Sequence, residues 1–230
     1  MHSHRGRWTP AGMPATPVCV CIAGTSCSEA IALVRRHPFA EIRLDSMHLS
    51  PSEVRRLFGR PATLIATCRP GPLPERARVA LLSRALDAGA AMADVELESP
   101  AATRREIAAA ARRAGSRVIV SHHDHGKTPG RAALARIVDR CFEAGADIAK
   151  VACTVRSPRE VARLVSLLDD ERDVVVAGMG PLGPRARISA MLCGVLFVYA
   201  SPARGRETAA GQMDAATTAR IARALGRVAP

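Results

Sequence analysis

Aromatic side chains are scarce: four Phe, one Trp and one Tyr among 230 residues. The core must therefore be built from Ala, Val, Leu and Ile, and a surface that stacks bases on rings is poorly supplied. Lysine is scarcer still, since only Lys127 and Lys150 occur and every other positive side chain is arginine. The cysteines, at 19, 21, 27, 68, 141, 153 and 193, are odd in number and contain no C-x-x-C pair. That pattern argues against a disulfide or zinc framework and for a reduced, cytoplasmic protein. No stretch approaches the length of a membrane span, so no membrane association is expected. Residues 1–17 lack an apolar core, which excludes a secretory signal and leaves a flexible N-terminal extension as the expectation. Negative charge is in deficit: the formal net charge is +12, which calls for an anionic partner, a nucleic acid or a small acid. The arginines are spread along expected helices and form no tail, so no nucleic-acid partner is expected and a small anionic substrate is preferred.

What is present is a repeat of apolar runs and amphipathic segments. Strands are expected at 18–23, 40–45, 62–68, 93–97, 117–121, 146–152, 173–177 and 195–199. Helices are expected from Ser26 or Ser28 to about 36, from Ser50, over 74–87, 101–114 and 129–143, from Ser157, and over 186–193 and 214–225. Ser-Pro pairs open two of them, and Gly89, Gly115 and Gly145 follow three others. Eight strand-then-helix units imply parallel strands joined by right-handed crossovers, an α/β fold. At this length a single-domain (β/α)8 TIM barrel over 18–230 is expected.

Chemistry in such a barrel sits where strands end. There the sequence places Glu41, Arg43, Arg69, Glu96, His123, Lys150, Met179 and the segment before Gln212. Lys150 stands in an apolar run, and a desolvated lysine, unlike arginine, can lose its proton and attack a carbonyl. The alternative is a lysine snorkelling to water from a strand end. Glu41 and Arg43 share a strand face, either to pair with each other or to grip substrate hydroxyls. Glu96 is placed to orient a protonated His123. The run His122-His123-Asp124-His125 invites zinc, but no further ligand set with recognisable spacing accompanies it. A general acid/base histidine is preferred, with no metal and no cofactor.

Taken in order, Glu41-x-Arg43-x-Asp45, Thr67-x-Arg69, Asp94-x-Glu96, Ser121-x-His123-Asp124 with Thr128-Pro129, Ala146-Asp147-x-x-Lys150-x-Ala152, Met179-Gly180 with Gly183 and Arg187, and Gly211-Gln212 resemble type I 3-dehydroquinate dehydratases, over about residues 18–225. The resemblance implies a barrel lyase of the shikimate or quinate pathway, serving aromatic amino acid biosynthesis in the first case, and a homodimer. It implies that Lys150 forms a Schiff base with 3-dehydroquinate, that His123 moves the protons of a syn elimination, and that Glu96 supports His123. It implies that Arg187 binds the substrate carboxylate, that Glu41, Arg43 and Arg69 surround the ring hydroxyls, and that Thr208 and Gln212 belong to a closing lid. Three positions depart from the family's pattern: His125 replaces an aromatic, Thr208 a serine and Ala177 a methionine. Alternative readings are a class I aldolase-like Schiff-base barrel and an inactive basic barrel that binds nucleic acid.

Overall fold

The computed structural model describes residues 17–71 and 73–226. The expected N-terminal extension, 1–17, lies outside the described residues except for Pro17, whose carbonyl accepts a hydrogen bond from the Val198 amide at 3.0 Å. Strands and helices alternate strictly: β1 (Val18–Ile22), α1 (Cys27–Arg36), β2 (Phe39–Arg43), α2 (Pro51–Phe58), β3 (Thr63–Thr67), α3 (Glu75–Asp87), β4 (Met92–Glu96), α4 (Ala101–Ala114), β5 (Arg117–Asp124), α5 (Arg131–Glu143), β6 (Ile148–Thr154), α6 (Pro158–Val165), β7 (Val174–Met179), α7 (Gly183–Leu192), β8 (Val198–Ala200) and α8 (Ala215–Ala224). All strand pairs are parallel, in the order β7-β6-β5-β4-β3-β2-β1-β8, so β8 folds back onto β1. The architecture is a single-domain (β/α)8 barrel.

Local chemistry explains the helix starts. Ser26, Ser50, Ser157 and Asp214 each accept a hydrogen bond from a first-turn amide, and Ser50 with Glu53 completes a reciprocal capping box. Gly115 stops α4 in the left-handed conformation, φ 69°, which leaves no Cβ penalty.

Three strands differ from the sequence expectation in a way that matters. β5 continues to Asp124, because His122, His123 and Asp124 go on pairing with Val151, Ala152 and Cys153 of β6. β6 begins at Ile148, since the Ala146 amide closes the preceding helix onto the Cys141 carbonyl and Asp147 accepts from the Val118 amide at 2.8 Å. β2 also stops early, at Arg43, where residues Leu44–Ser46 form one 3₁₀ turn.

Side chains alternate across each strand. One set packs outward against the helices in the main apolar cluster, while Cys19, Phe39, Ile65, Met92, Ile119, Ile148, Val175 and Phe197 fill the barrel interior. Two residues further along the same inward faces the chemistry changes: Phe39 is followed by Glu41, Ile65 by Thr67, Met92 by Asp94, Ile119 by Ser121 and Ile148 by Lys150. The apolar half of the barrel is a plug beneath a polar half.

Candidate active site

Lys150 is the centre of that polar half. It is 4% exposed, and its Nζ donates to Asp94 Oδ2 at 2.8 Å and Glu41 Oε1 at 3.1 Å. The ammonium also lies over the Tyr199 ring, 4.1 Å from its centroid. Burial pulls the lysine pKa down, but Asp94 and Glu41 outweigh it and the net direction is up. Desolvation, the force considered from the sequence, is thus opposed by the two carboxylates. Strand alternation brings Lys150 to the same interior as Asp94 and Glu41, and two buried carboxylates hold the proton on.

The carboxylates are themselves tied down. Asp94 accepts from the Ser121 hydroxyl at 2.6 Å and from Arg69 Nη1 at 3.3 Å. Burial opposes its charge, yet Arg69 and Lys150 hold its carboxyl well below the usual carboxylate range. Glu41 accepts from the Thr67 hydroxyl at 3.0 Å and lies 4.0 Å from Arg69 Nη2. It does not pair with Arg43, which turns to Asp45 at 2.8 Å. Asp45 in turn accepts from the Arg69 amide at 3.1 Å. Beside Lys150 the wall is small and apolar: Ala152, Ala177 and Met179, with Ala209 of the loop after β8 packed on them.

His123 shares the inward face of β5 with Ser121 and stacks against His125, with ring centroids 6.2 Å apart. No hydrogen-bond partner for its ring is found among the described residues. Burial, then the charges of Arg69 and Lys150, push its pKa down to about 2. Burial and these charges favour the neutral imidazole, the form a general base needs, over the protonated form that Glu96 was expected to support. Nor does Glu96 orient it. The Glu96 oxygens are taken by Arg69 Nη1 at 2.5 Å and Arg78 Nη2 at 3.1 Å. Asp94 is the carboxylate whose charge acts on His123.

Arg187 is 3% exposed. Its Nε donates to the Gly178 carbonyl at 3.1 Å and Nη1 to the Tyr199 carbonyl at 2.9 Å. Gly178 makes this approach possible, since a Cβ there would stand 2.4 Å from the Ala186 Cβ. No carboxylate pairs with Arg187 among the described residues, and burial lowers its pKa. A buried guanidinium without a counter-ion is costly unless an anion completes it.

The loop after β8 carries Thr208 and Gln212, the chain's single glutamine. Gln212 Oε1 accepts from the Thr208 amide at 2.8 Å and hydroxyl at 3.2 Å, while Nε2 reaches the Cys21 sulfur at 3.3 Å. The foot of this loop is clamped to the turn after β7. Gly180 donates its amide to the Ala210 carbonyl at 2.9 Å, and a Cβ on Gly211 would come within 2.4 Å of the Gly180 oxygen.

Of the nine residues singled out in the sequence, Arg43, Glu96 and His123 lie at the C-terminal ends of β2, β4 and β5, Glu41 and Lys150 lie within β2 and β6, Arg69, Thr208 and Gln212 lie in loops, and Arg187 lies inside α7. Asp94, Ser121, Tyr199, Arg78 and Cys21 belong to the same arrangement without having been assigned a role. For Asp94 a signal existed: it alternates with Glu96 on β4, so both must face one way. Arg78, inside a helix, had none. Among the described residues no group of three His, Cys, Asp or Glu side chains is arranged to hold a metal ion, and no helix is long and apolar enough to cross a membrane.

The sequence model of the family described as type I 3-dehydroquinase matches residues 18–228. The 3-dehydroquinate dehydratase of Dehalococcoides mccartyi is 31% identical over 219 residues, covering 91% of this chain and 96% of that protein. That of Methanothermobacter thermautotrophicus is 37% identical over 202 residues, covering 83% and 85%. Among solved structures, the type I 3-dehydroquinate dehydratase of Clostridium difficile superposes with a TM-score of 0.80 at 20% identity, over 93% of this chain and 92% of that one.

Proposed function

The chain belongs to the type I 3-dehydroquinase family, and from that membership we propose that it dehydrates 3-dehydroquinate to 3-dehydroshikimate through a Schiff base on Lys150. The observation that carries the mechanism is the setting of one amine. Lys150 is buried between two carboxylates that hold its positive charge. The same carboxylates would hold the positive charge of an iminium formed on that nitrogen, without reorganising during the reaction.

The geometry supports the following steps. An approaching ketone requires the Lys150 amine to be free of its proton, which it gives up to solvent before the site closes, while Asp94 and Glu41 stay ionised beside it. The amine adds to the carbonyl and water leaves, giving the iminium. That cation acidifies the neighbouring carbon, and His123, held neutral, is a base able to remove its proton. The imidazolium so formed can return that proton to the departing hydroxyl, which makes the loss of water syn. Hydrolysis of the conjugated iminium regenerates Lys150. Arg187 would close on the substrate carboxylate as a charge-assisted clamp. Arg69 and Arg43 would face the ring hydroxyls with Glu41. Thr208 and Gln212 would cap the substrate and exclude water from the iminium. The apolar wall of Ala152, Ala177 and Met179 fits the carbocyclic ring between these polar contacts. Glu96 acts on this reading by holding Arg69.

The same reading extends to a cytoplasmic homodimer. All seven cysteines are free thiols, which fits a reducing compartment. Sedimentation at low micromolar concentration should give twice the chain mass.

Borohydride added with 3-dehydroquinate tests the mechanism. The expected product is inactive enzyme carrying one reduced adduct, mapped by peptide mass to Lys150. An adduct on the exposed Lys127, or active enzyme that cannot be trapped, overturns the Schiff-base assignment.

A further inference from the structure

Arg78 lies in α3, a helix on the outside of the barrel, yet it is only 2% exposed. A buried arginine needs acceptors for its fixed fork of donors. Arg78 Nε and Nη2 both donate to the carbonyl of Cys68, at 3.0 and 2.9 Å. Nη2 also reaches Glu96 Oε2 at 3.1 Å, and Nη1 reaches Glu75 Oε2 at 2.5 Å. Glu75 is braced in turn by the Thr103 hydroxyl of α4 at 2.7 Å.

Two of these acceptors converge on one site residue. Cys68 immediately precedes Arg69, so its carbonyl sets the peptide plane from which Arg69 projects. Glu96 offers its other oxygen to Arg69 Nη1 at 2.5 Å. Arg69 thus has its backbone and its guanidinium both referred to Arg78. From Arg69 the alternation of charge continues to Asp94 and on to Lys150. We propose that Arg78 is a positioning residue that fixes Arg69 for the ring hydroxyls, acting through Glu96 and the Cys68 carbonyl.

Lysine could not do this work. It offers one point charge where three separate acceptors must be met, and the bifurcated grip on the Cys68 carbonyl depends on two donors held in one plane. The effect on Glu96 is also directional. Burial already raises the Glu96 pKa, with Arg69 pulling it back. Removing Arg78 takes away a second cation, so the carboxylate would take up a proton at a higher pH and release Arg69.

The kinetic form of this inference rests on the dehydratase reading, so the test has two arms. In the first, turnover of 3-dehydroquinate is measured for wild type, Arg78→Met, Arg69→Met and the double variant. Arg78→Met should raise KM about tenfold, the order expected when a charge-assisted hydrogen bond is lost, and change kcat less. Its KM should worsen further as pH falls, which a purely structural defect would not produce. The double variant should be no worse than Arg69→Met alone. Multiplied losses in the double variant, or an unchanged KM in Arg78→Met, overturn the proposal. Should Arg78→Met fail to fold, Arg78→Lys and Glu96→Gln replace it with the same expectations. The second arm needs no turnover: phenylglyoxal modification of Arg69, followed by peptide mapping, should run several-fold faster in Arg78→Lys than in wild type. Equal rates sink the positioning role. Wild type that makes no enone sinks the dehydratase reading instead, and the labelling arm still decides on Arg78.

Discussion

At the scale of single residues, the site is a set of charges that cancel almost completely, with one exception. Lys150 and Arg69 are met by Asp94, Glu41 and Glu96, whereas Arg187 is met only by backbone carbonyls. The unmatched cation is where an anionic substrate gains most, because binding then supplies a counter-charge that folding did not. Arg187→Ala should therefore raise KM by about a hundredfold or more, whereas Lys150→Ala should remove turnover with the chain still folded. Steady-state kinetics with a melting curve on each variant checks both, and equal, mild effects would contradict these roles. His123 makes a separate prediction about pH. Unfolded, the imidazole protonates near 6.5, but in the folded chain it resists protonation down to about 2. Acid across that window favours the unfolded chain, so the stability that goes with a neutral His123 is fully present above 6.5 and is lost as pH falls. At about pH 5 this amounts to roughly 1–2 kcal/mol once partial exposure is allowed for. His123→Gln should lose less melting temperature than wild type between about pH 8 and 5, by about 3 °C or more.

At the scale of elements, the decisive piece is the connection from β8 to α8. It is anchored at its foot by the close backbone approach of Gly211 to Gly180 and Gly183. Gly211 has φ 78°, so an added Cβ meets both a disfavoured backbone conformation and the Gly180 oxygen. Gly211→Ala should lift the loop, separate Gln212 from the barrel mouth and increase KM by about tenfold. Limited proteolysis should cut the variant within 202–210 faster than wild type, and an unchanged cleavage rate would show that the foot is not what holds the loop. β5 provides the second lesson at this scale. Its three extra paired residues carry His123 on a strand instead of a loop, and a strand fixes the imidazole relative to Lys150 on its neighbour more tightly than a loop could.

At the scale of the whole molecule, the excess of positive charge is partly gathered where it can act. Lys127, Arg156, Arg185 and Arg204 are exposed in the loops or helix starts that follow β5, β6, β7 and β8, at the rim of the polar half of the barrel. An arc of cations along one side of a mouth draws anions in and is screened by salt, although Arg204 also faces Asp214 at 3.7 Å. Between low and physiological ionic strength kcat/KM should fall by about threefold, with kcat little changed. A salt-independent kcat/KM would show that the charge serves only the helix surfaces.

The fold was legible because it rests on local chemistry: serine and aspartate caps, glycine stops and the period of apolar residues act within one turn or one strand. The strand placement of Lys150 and His123 was legible for the same reason, since the strands of an eight-unit chain line the barrel, whereas Arg187, inside α7, was singled out only through the family resemblance. The partners of these residues were not. Glu96 stands two residues from Asp94 on the same face of one strand, and sequence spacing cannot say which of them meets the lysine and which meets the arginines. Shear between neighbouring strands decides it, and so does Arg78 reaching in from a helix. The charge state of Lys150 followed from that meeting. Burial by itself lowers a lysine, two carboxylates brought from β2 and β4 raise it, and only the folded barrel puts both within 3.1 Å of the lysine nitrogen.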